Sequence, residues 1–471
     1  MRRCVTAIVV GASVACRDIN PRAQLVVYVD TDAHVAGELA ERQDVSPDAT
    51  VDTLRVEVLD ADDHASDTHT FVVSDRSSWP LSFGVAATSP GAAAVKMRIR
   101  AFRGSFASPG TELDAATLDP PPEVTIDRLV EIEFPATAVA RVEVTLREDC
   151  MGSPATYAPS SATCLDGDHP RASPADGIAA LAGPPPPSVV GTWAGAIDVP
   201  CAASPSPDSI CVPGGFTILG DLAAVGANAA LEAAEPVPLR PTLVSPFLLD
   251  RFEFTVGRLR ALAQSGRLAA EDLPTPSDPT DPTNRDCTWL GADATQNDDL
   301  PVNCISDSAA KNACQRVGGQ LPTEAQWEHA ARGRGQRRDY PWGNVEPLCC
   351  SLSVGREDAG CAGNGVEPVG SHPMRADCAG GTGDESRDHV FDLAGSVGEM
   401  LSDAPQSYDA PCWTQSAILR DPTCVGAPTV PRAARGTNFT AGIGTAFLAL
   451  RRSSAPGPTQ GFRCAYAGGT P

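Results

Sequence analysis

The side chains best suited to chemistry in this chain are sulfurs. Its 471 residues include 16 cysteines and only 7 histidines. A thiolate is a nucleophile, a redox centre or a ligand for a soft metal. Cys4 and Cys16 stand apart near the N-terminus; the other 14 form an even set. In an exported chain such a set points to as many as seven disulfides. Pairs close in sequence are Cys150 with Cys164, Cys201 with Cys211, Cys287 with Cys304 and Cys412 with Cys424, and the connectivity stays open. No C-x-x-C pair occurs, so a structural zinc site has no support. No H-x-x-x-H pair, no Gly-rich phosphate loop after a strand and no Ser/His/Asp signature is present either. The stretch Asp60–His69, DADDHASDTH, has oxygen and imidazole groups that suit a cation, but it reads as a solvated hairpin loop.

Charge limits the partners. With 59 acidic against 36 basic residues the formal net charge is -23. Without a basic run, such a chain is not expected to bind nucleic acid through phosphates. The N-terminus reads as an export signal: Met1-Arg2-Arg3, then the apolar stretch Val5–Ala15. That stretch is shorter than the about 20 apolar residues a membrane span needs. Cys16 after Ser13-Val14-Ala15 resembles a bacterial lipobox, which would place a lipid anchor on Cys16; the alternative is a plain signal cut near Ala15. The chain is therefore expected to be exported, as a cell-envelope or outer-membrane lipoprotein held on the outer leaflet, or otherwise secreted.

The elements that must position any site follow from periodicity. Residues 23–30, 52–60, 69–73, 81–87, 94–102, 129–134 and 139–146 alternate apolar and polar, with turn residues between them. Seven short alternating strands predict an all-β immunoglobulin-like sandwich over 20–147. Residues 148–205 are rich in Pro, Ala and Ser, with four consecutive prolines at 184–187, and read as a linker. From 206 to 471 the chain is rich in Gly, Trp and turns. Helical spacing appears at 254–269, 308–317 and 323–332, with Thr323 as the N-cap of the last.

Here the residues become specific. Val212-Pro213-Gly214-Gly215-Phe216 is followed by PFLLDRFEFT (246–255) and AAKNACQRVGGQLPTEAQWEHAARG (309–333). Then come Tyr340-Pro341-Trp342-Gly343-Asn344, FDLAGSVGEM (391–400), ARGTNF (434–439) and GFRCA (461–465). In this order the blocks resemble the formylglycine-generating enzyme, or sulfatase-modifying factor, family across residues 208–467. The resemblance implies an α+β fold of C-type-lectin-like type. It also implies a disulfide between Cys314 and Cys464, and a calcium loop with Gly395, Val397 and Glu399 as ligands. The blocks carry bland roles too: Trp327 reads as core, Gly343 and Gly395 as positive-φ positions, and Arg332 and Arg463 as ion-pair partners for Glu324 or Glu328.

The resemblance also supplies a test of chemistry. Active members of the family oxidise a substrate cysteine to formylglycine with two cysteines that hold Cu(I). Those cysteines lie between the blocks matched here by 434–439 and 461–465. The window Gly436–Phe462 contains no cysteine. Copper is therefore not expected, and the catalytic set is read as empty. The first reading is an exported, non-catalytic module that binds a peptide, a glycan or an envelope protein, with Asn438, Phe439, Arg451 and Arg452 as groove contacts. The alternative is a copper-dependent oxidase of sulfatase maturation that takes its thiolates from Cys349-Cys350 or from Cys378 with Cys412. A structural envelope protein without a specific ligand is the third reading.

Overall fold

The structure, a computed structural model, describes residues 23–469 apart from 88–92, 108–118, 136–138, 158–159, 182, 223–235, 357–359, 364 and 428–429. The leader and Cys16 lie outside the described residues.

The alternating stretches of the N-terminal half become seven strands, joined by a short eighth from the expected linker, in two sheets: β1 Gln24–Thr31, β2 Thr53–Leu59, β3 Ala65–Val72, β4 Leu81–Ala86, β5 Ala94–Phe102, β6 Thr125–Glu133, β7 Val139–Leu146 and β8 Ala179–Ala180. One sheet runs β8-β7-β1-β4 and the other β3-β2-β5-β6. The period-2 apolar faces meet between them. Leu25, Val27, Val29, Val142 and Val144 of the first sheet share one core with Leu54, Val56, Met97, Ile99, Val130 and Ile132 of the second.

The strand order corrects the immunoglobulin expectation. A constant-type domain would join strands 1, 2, 5 and 4 in one sheet and 3, 6 and 7 in the other. Here β1 lies between β4 and β7, parallel to β7, and β2 lies between β3 and β5. Alternation fixes which face a strand buries and says nothing about its neighbour. A second correction is local. The acidic stretch is a turn only to His64; β3 starts at Ala65 and carries Ser66, Asp67 and Thr68 into the sheet.

The segment expected to be a linker is instead packed on the sandwich. Val190, Trp193 and Ala196 belong to the sandwich core. Asp30 accepts hydrogen bonds from the Ser188 hydroxyl at 2.8 Å and the Val189 N–H at 2.7 Å. Few apolar anchors are needed to dock a Pro-rich segment, so its composition conceals the docking.

The described residues of the C-terminal half form three small sheets. The first is β9 Ser209–Val212, β12 Phe247–Asp250 and β18 Ala465–Ala467, in the order β9-β12-β18. The second joins β10 Gly215–Leu219, β11 Arg240–Val244 and β14 Leu419–Arg420. The third runs β16-β15-β13-β17, from β13 Gly398–Met400, β15 Ala433–Arg435, β16 Arg451–Ser453 and β17 Gln460–Gly461. Among the described residues three α-helices accompany them: α1 Val256–Gln264, α2 Asp307–Arg316 and α3 Glu324–Ala331. Each starts on a hydroxyl N-cap, Thr255, Ser306 and Thr323, and Thr323 with Gln326 closes a capping box.

The two halves share a core. Phe216 and Ile218 of β10 pack into the sandwich cluster, and the Phe216 ring meets Trp193 edge-on at 5.5 Å. The Ser46 hydroxyl donates to the Phe216 carbonyl at 2.6 Å, and Asp48 accepts the Ile218 N–H at 2.8 Å.

Candidate functional site

Helix α3 organises the C-terminal half. Glu324, Glu328 and Arg332 recur every four residues and line one face. Arg435 of β15 reaches that face, with its Nε 2.9 Å from Glu324 and its Nη2 bonded to Glu328. Arg332 donates to Glu328 at 2.8 Å and to Asp221 at 3.1 Å, and Arg451 closes on Glu324. The Tyr408 hydroxyl bridges Arg435 and Glu328. Three guanidinium groups thus face three carboxylates, so the buried charge balances. Burial would raise the Glu328 carboxyl, but Arg435 and Arg332 outweigh it and hold the group at about 2.

The Trp327 indole, whose ring lies beside the Arg435 guanidinium, donates to Glu399 at 2.9 Å. Arg463 binds the same carboxylate through two nitrogens, at 2.8 and 2.5 Å. The expectation for Arg332 thus meets Glu328, whereas Arg463 pairs with Glu399 and not with Glu324 or Glu328. The loop before Glu399 is held by buried acids. Asp384 accepts the N–H groups of Leu393, Ala394 and Gly395, and Glu253 accepts the Val397 N–H and the Ser396 hydroxyl.

This geometry does not fit a calcium ion on Glu399. Both carboxylate oxygens are engaged by Arg463 and Trp327, so a cation would have to displace a buried guanidinium. Gly395 and Val397 lie in the expected loop, and their N–H groups donate to Asp384 and Glu253. Nor does Gly395 have a positive φ. A Cβ there would sit 2.9 Å from the Ser353 carbonyl, so close backbone approach requires the glycine. Gly343 does have one, at 134°.

The proposed groove contacts divide. Asn438 is 8% exposed, and its carboxamide accepts from the Thr440 N–H and hydroxyl, which closes its own loop. Phe439 is fully buried, a correction to its role as a contact. Arg451 is spent on Glu324 and on the Tyr408 ring, 3.9 Å from its guanidinium carbon. Arg452 donates to the Gly436 carbonyl. The contacts given for all four serve the window and the helix behind it.

Residues that periodicity did not single out form the accessible surface beside that window. Tyr340 and Trp342 stack at 5.1 Å with 5° between their planes, and Phe447 leans on Tyr340 at 5.2 Å. Trp342, Ile443 and Phe447 are half-buried around a small core of Leu352, Val354, Ala394 and Ala446. Val345, half-exposed, accepts the Trp342 indole hydrogen on its carbonyl. The signal was present as the block Tyr340–Asn344, read there only as a family marker.

The thiols are all accounted for among the described residues. Bonds join Cys150–Cys164, Cys201–Cys211, Cys287–Cys304, Cys314–Cys464, Cys349–Cys361, Cys350–Cys378 and Cys412–Cys424. The thiolate sets named for the copper alternative, Cys349-Cys350 and Cys378 with Cys412, are therefore bonded elsewhere. In the window itself the side-chain hydroxyls of Thr437 and Thr445 meet at 2.9 Å. Hydroxyls are hard ligands and do not select Cu(I).

A family description, sulfatase-modifying factor enzyme 1-like domain, matches residues 197–467. The chain belongs to this family. The inactive C-alpha-formylglycine-generating enzyme 2 of Bos taurus is 30% identical over 181 residues, covering 37% of this chain and 52% of that protein. The hercynine oxygenase of Mycobacterium tuberculosis is 35% identical over 85 residues, covering 17% of this chain and 19% of that protein. The chain thus spans about half the length, or less, of these curated relatives. Among solved structures, PvdO from Pseudomonas aeruginosa matches at 20% identity with a TM-score of 0.42, over 55% of this chain and 93% of that one. Within the family domain, α3, the Glu399 loop and the cysteine-free window occupy the positions described above.

Proposed function

We propose that this sulfatase-modifying-factor-like domain is a non-catalytic binding module on an exported, lipid-anchored protein. One observation carries the reading. The window that would need two thiolates for copper holds none, and the seven disulfides leave no other described cysteine free to supply them. The inactive relative supports the same direction, as does the disulfide number, which suits an oxidising compartment. The ligand is a peptide or protein segment with an apolar side chain, received on the surface of Trp342, Val345, Ile443 and Phe447. Half-exposed, stacked aromatics are the side chains that anchor such contacts. Calcium is not part of the proposal, because Glu399 is neutralised by Arg463.

The test has two arms. The full chain, purified without reductant, is offered Cu(I) and a C-x-P-x-R peptide, and the peptide is weighed by mass spectrometry. No aldehyde product is expected; its formation would overturn the non-catalytic reading. The second arm screens a peptide library against the chain and against Trp342→Ala. A hit lost in the variant supports the module, and hits that ignore Trp342 move the ligand elsewhere.

A further inference from the structure

Strand β3 stands apart from the sandwich core. Residues 65–70 are exposed on both faces, Phe71 is half-buried, and Val72 is 82% exposed. The strand is eight residues long and lies at the edge of its sheet, paired only with β2. The opposite edge, β6, is covered: Glu131 bridges to Ala175 and Ile126 to Met151. Among the described residues no bridge covers β3. The Val73 N–H donates to the Asp52 carbonyl, so residue 73 faces β2. By alternation Thr68, Thr70 and Val72 turn their N–H and C=O groups outward. The strand has no Pro and no Lys, its one irregularity is a bulge at Ser66 where the register shifts opposite Val58 and Leu59, and from Asp67 to Val72 its pairing is regular, with Thr, Phe and Val residues that favour strands.

We infer that β3 is a pairing edge for a second copy of this chain, two β3 strands running antiparallel about a two-fold axis at Thr68. Charge selects the register. An axis at Thr68 sets Asp67 opposite His69 of the second copy, twice. An axis at Asp67 would set acid against acid. An axis at His69 would set imidazole against imidazole and Asp67 against Phe71. An axis at Thr70 would leave Asp67 facing Val73. Within one chain Asp67 Oδ2 and His69 Nε2 already lie 3.1 Å apart on one face. The axis at Thr68 therefore gathers four groups in which acid and imidazole alternate. It is also isologous, so it closes as a dimer and does not propagate.

Sedimentation of the full chain over a concentration series tests the dimer. Thr68→Pro removes the outward N–H at the axis. Pro is tolerated where an edge N–H faces solvent, so the unfolding midpoint should hold. The dimer dissociation constant should rise by at least about tenfold. Thr68→Cys reads the register independently. Paired residues at the axis have Cα atoms about 5.5 Å apart, within disulfide range. Mild oxidation should therefore cross-link Thr68→Cys and leave Ser66→Cys monomeric. A chain that stays monomeric throughout, a dimer indifferent to Thr68→Pro, or Ser66→Cys cross-linking as readily as Thr68→Cys would overturn the inference.

Discussion

Arg435→Met is the perturbation that probes the buried network most directly. The substitution keeps a long side chain and removes one charge from a set in which Arg332, Arg435 and Arg451 balance Glu324, Glu328 and Asp221. Arg435 is fully buried, so no water replaces it. Breaking such a pair typically costs about 3–5 kcal/mol. The titration of Glu328 gives a separate estimate. A fall from its ordinary value of 4.5 to about 2 is worth about 3 kcal/mol of folding free energy at neutral pH. Because the folded value is depressed, that contribution is present above about 4.5 and lost as pH falls through about 2. The deficit of the variant should therefore be largest at pH 7 and should shrink as the solution is acidified below about 4.5. Denaturant unfolding followed by tryptophan fluorescence, with Trp327 packed beside the network, measures both. The pair Glu328→Gln with Arg435→Met should cost less than the two single changes added, since each single change strands a charge. A deficit below about 1 kcal/mol at pH 7, or one that does not change with pH, would refute the account of the network as mutually compensating.

Other outcomes follow from the same geometry. Burial pushes the Asp48 carboxyl up to about 6 at the junction of the two halves. A raised value means stability is fully present below about 3.8 and lost as pH rises through about 6; Asp48→Asn should flatten that fall by up to about 3 kcal/mol in denaturant titrations at pH 4 and pH 7. Chelation of calcium should leave the unfolding temperature of the chain unchanged; a drop of several degrees on adding chelator, reversed by calcium, would restore Glu399 as a ligand. Alkylation of the unreduced protein, mapped by mass spectrometry, should label none of the cysteines from Cys150 to Cys464; two reactive thiols would reopen copper chemistry.

The parts of the fold legible in the sequence were those set by local spacing. Alternation located the strands from β1 to β7 to within a few residues, and of the two acids offered for Arg332, Glu324 and Glu328, the structure takes Glu328. What escaped depends on partners distant in the chain. Arg463 meets Glu399 across 64 positions, and no local pattern links them. The sheet order depends on which apolar faces pair, and alternation is silent on it. The first half of β3 was read as loop because Ser66, Asp67 and Thr68 carry no apolar signal; its backbone pairing with β2 holds it. The docked segment was read as linker because its anchors, Val190, Trp193 and Ala196, are few among prolines and alanines. The aromatic surface at Trp342 was visible as a motif, but exposure is a tertiary property.

The distribution of polar groups explains how a domain of this family stands without a cysteine pair in that window. Glu324, Glu328, Arg332 and Arg435 tie α3 to β15, Glu399 and Arg463 tie β13 to the segment before β18, and Asp384 and Glu253 hold the loop between. None of these groups needs a thiolate or a metal for its partner, since each is satisfied by another protein group. The window from Gly436 to Phe447 is likewise closed by its own hydrogen bonds, through Asn438, Thr437 and Thr445. Absence of a cysteine pair from that window therefore strands no buried charge. Trp342 and Phe447, half-buried over the buried Tyr340 ring, lie at the rim of this frame, where the proposed recognition would take place. If that separation holds, Trp342→Ala should leave the unfolding free energy within about 1 kcal/mol of the parent while abolishing ligand capture. A variant that unfolds would show that the aromatic stack belongs to the frame and not to a binding face.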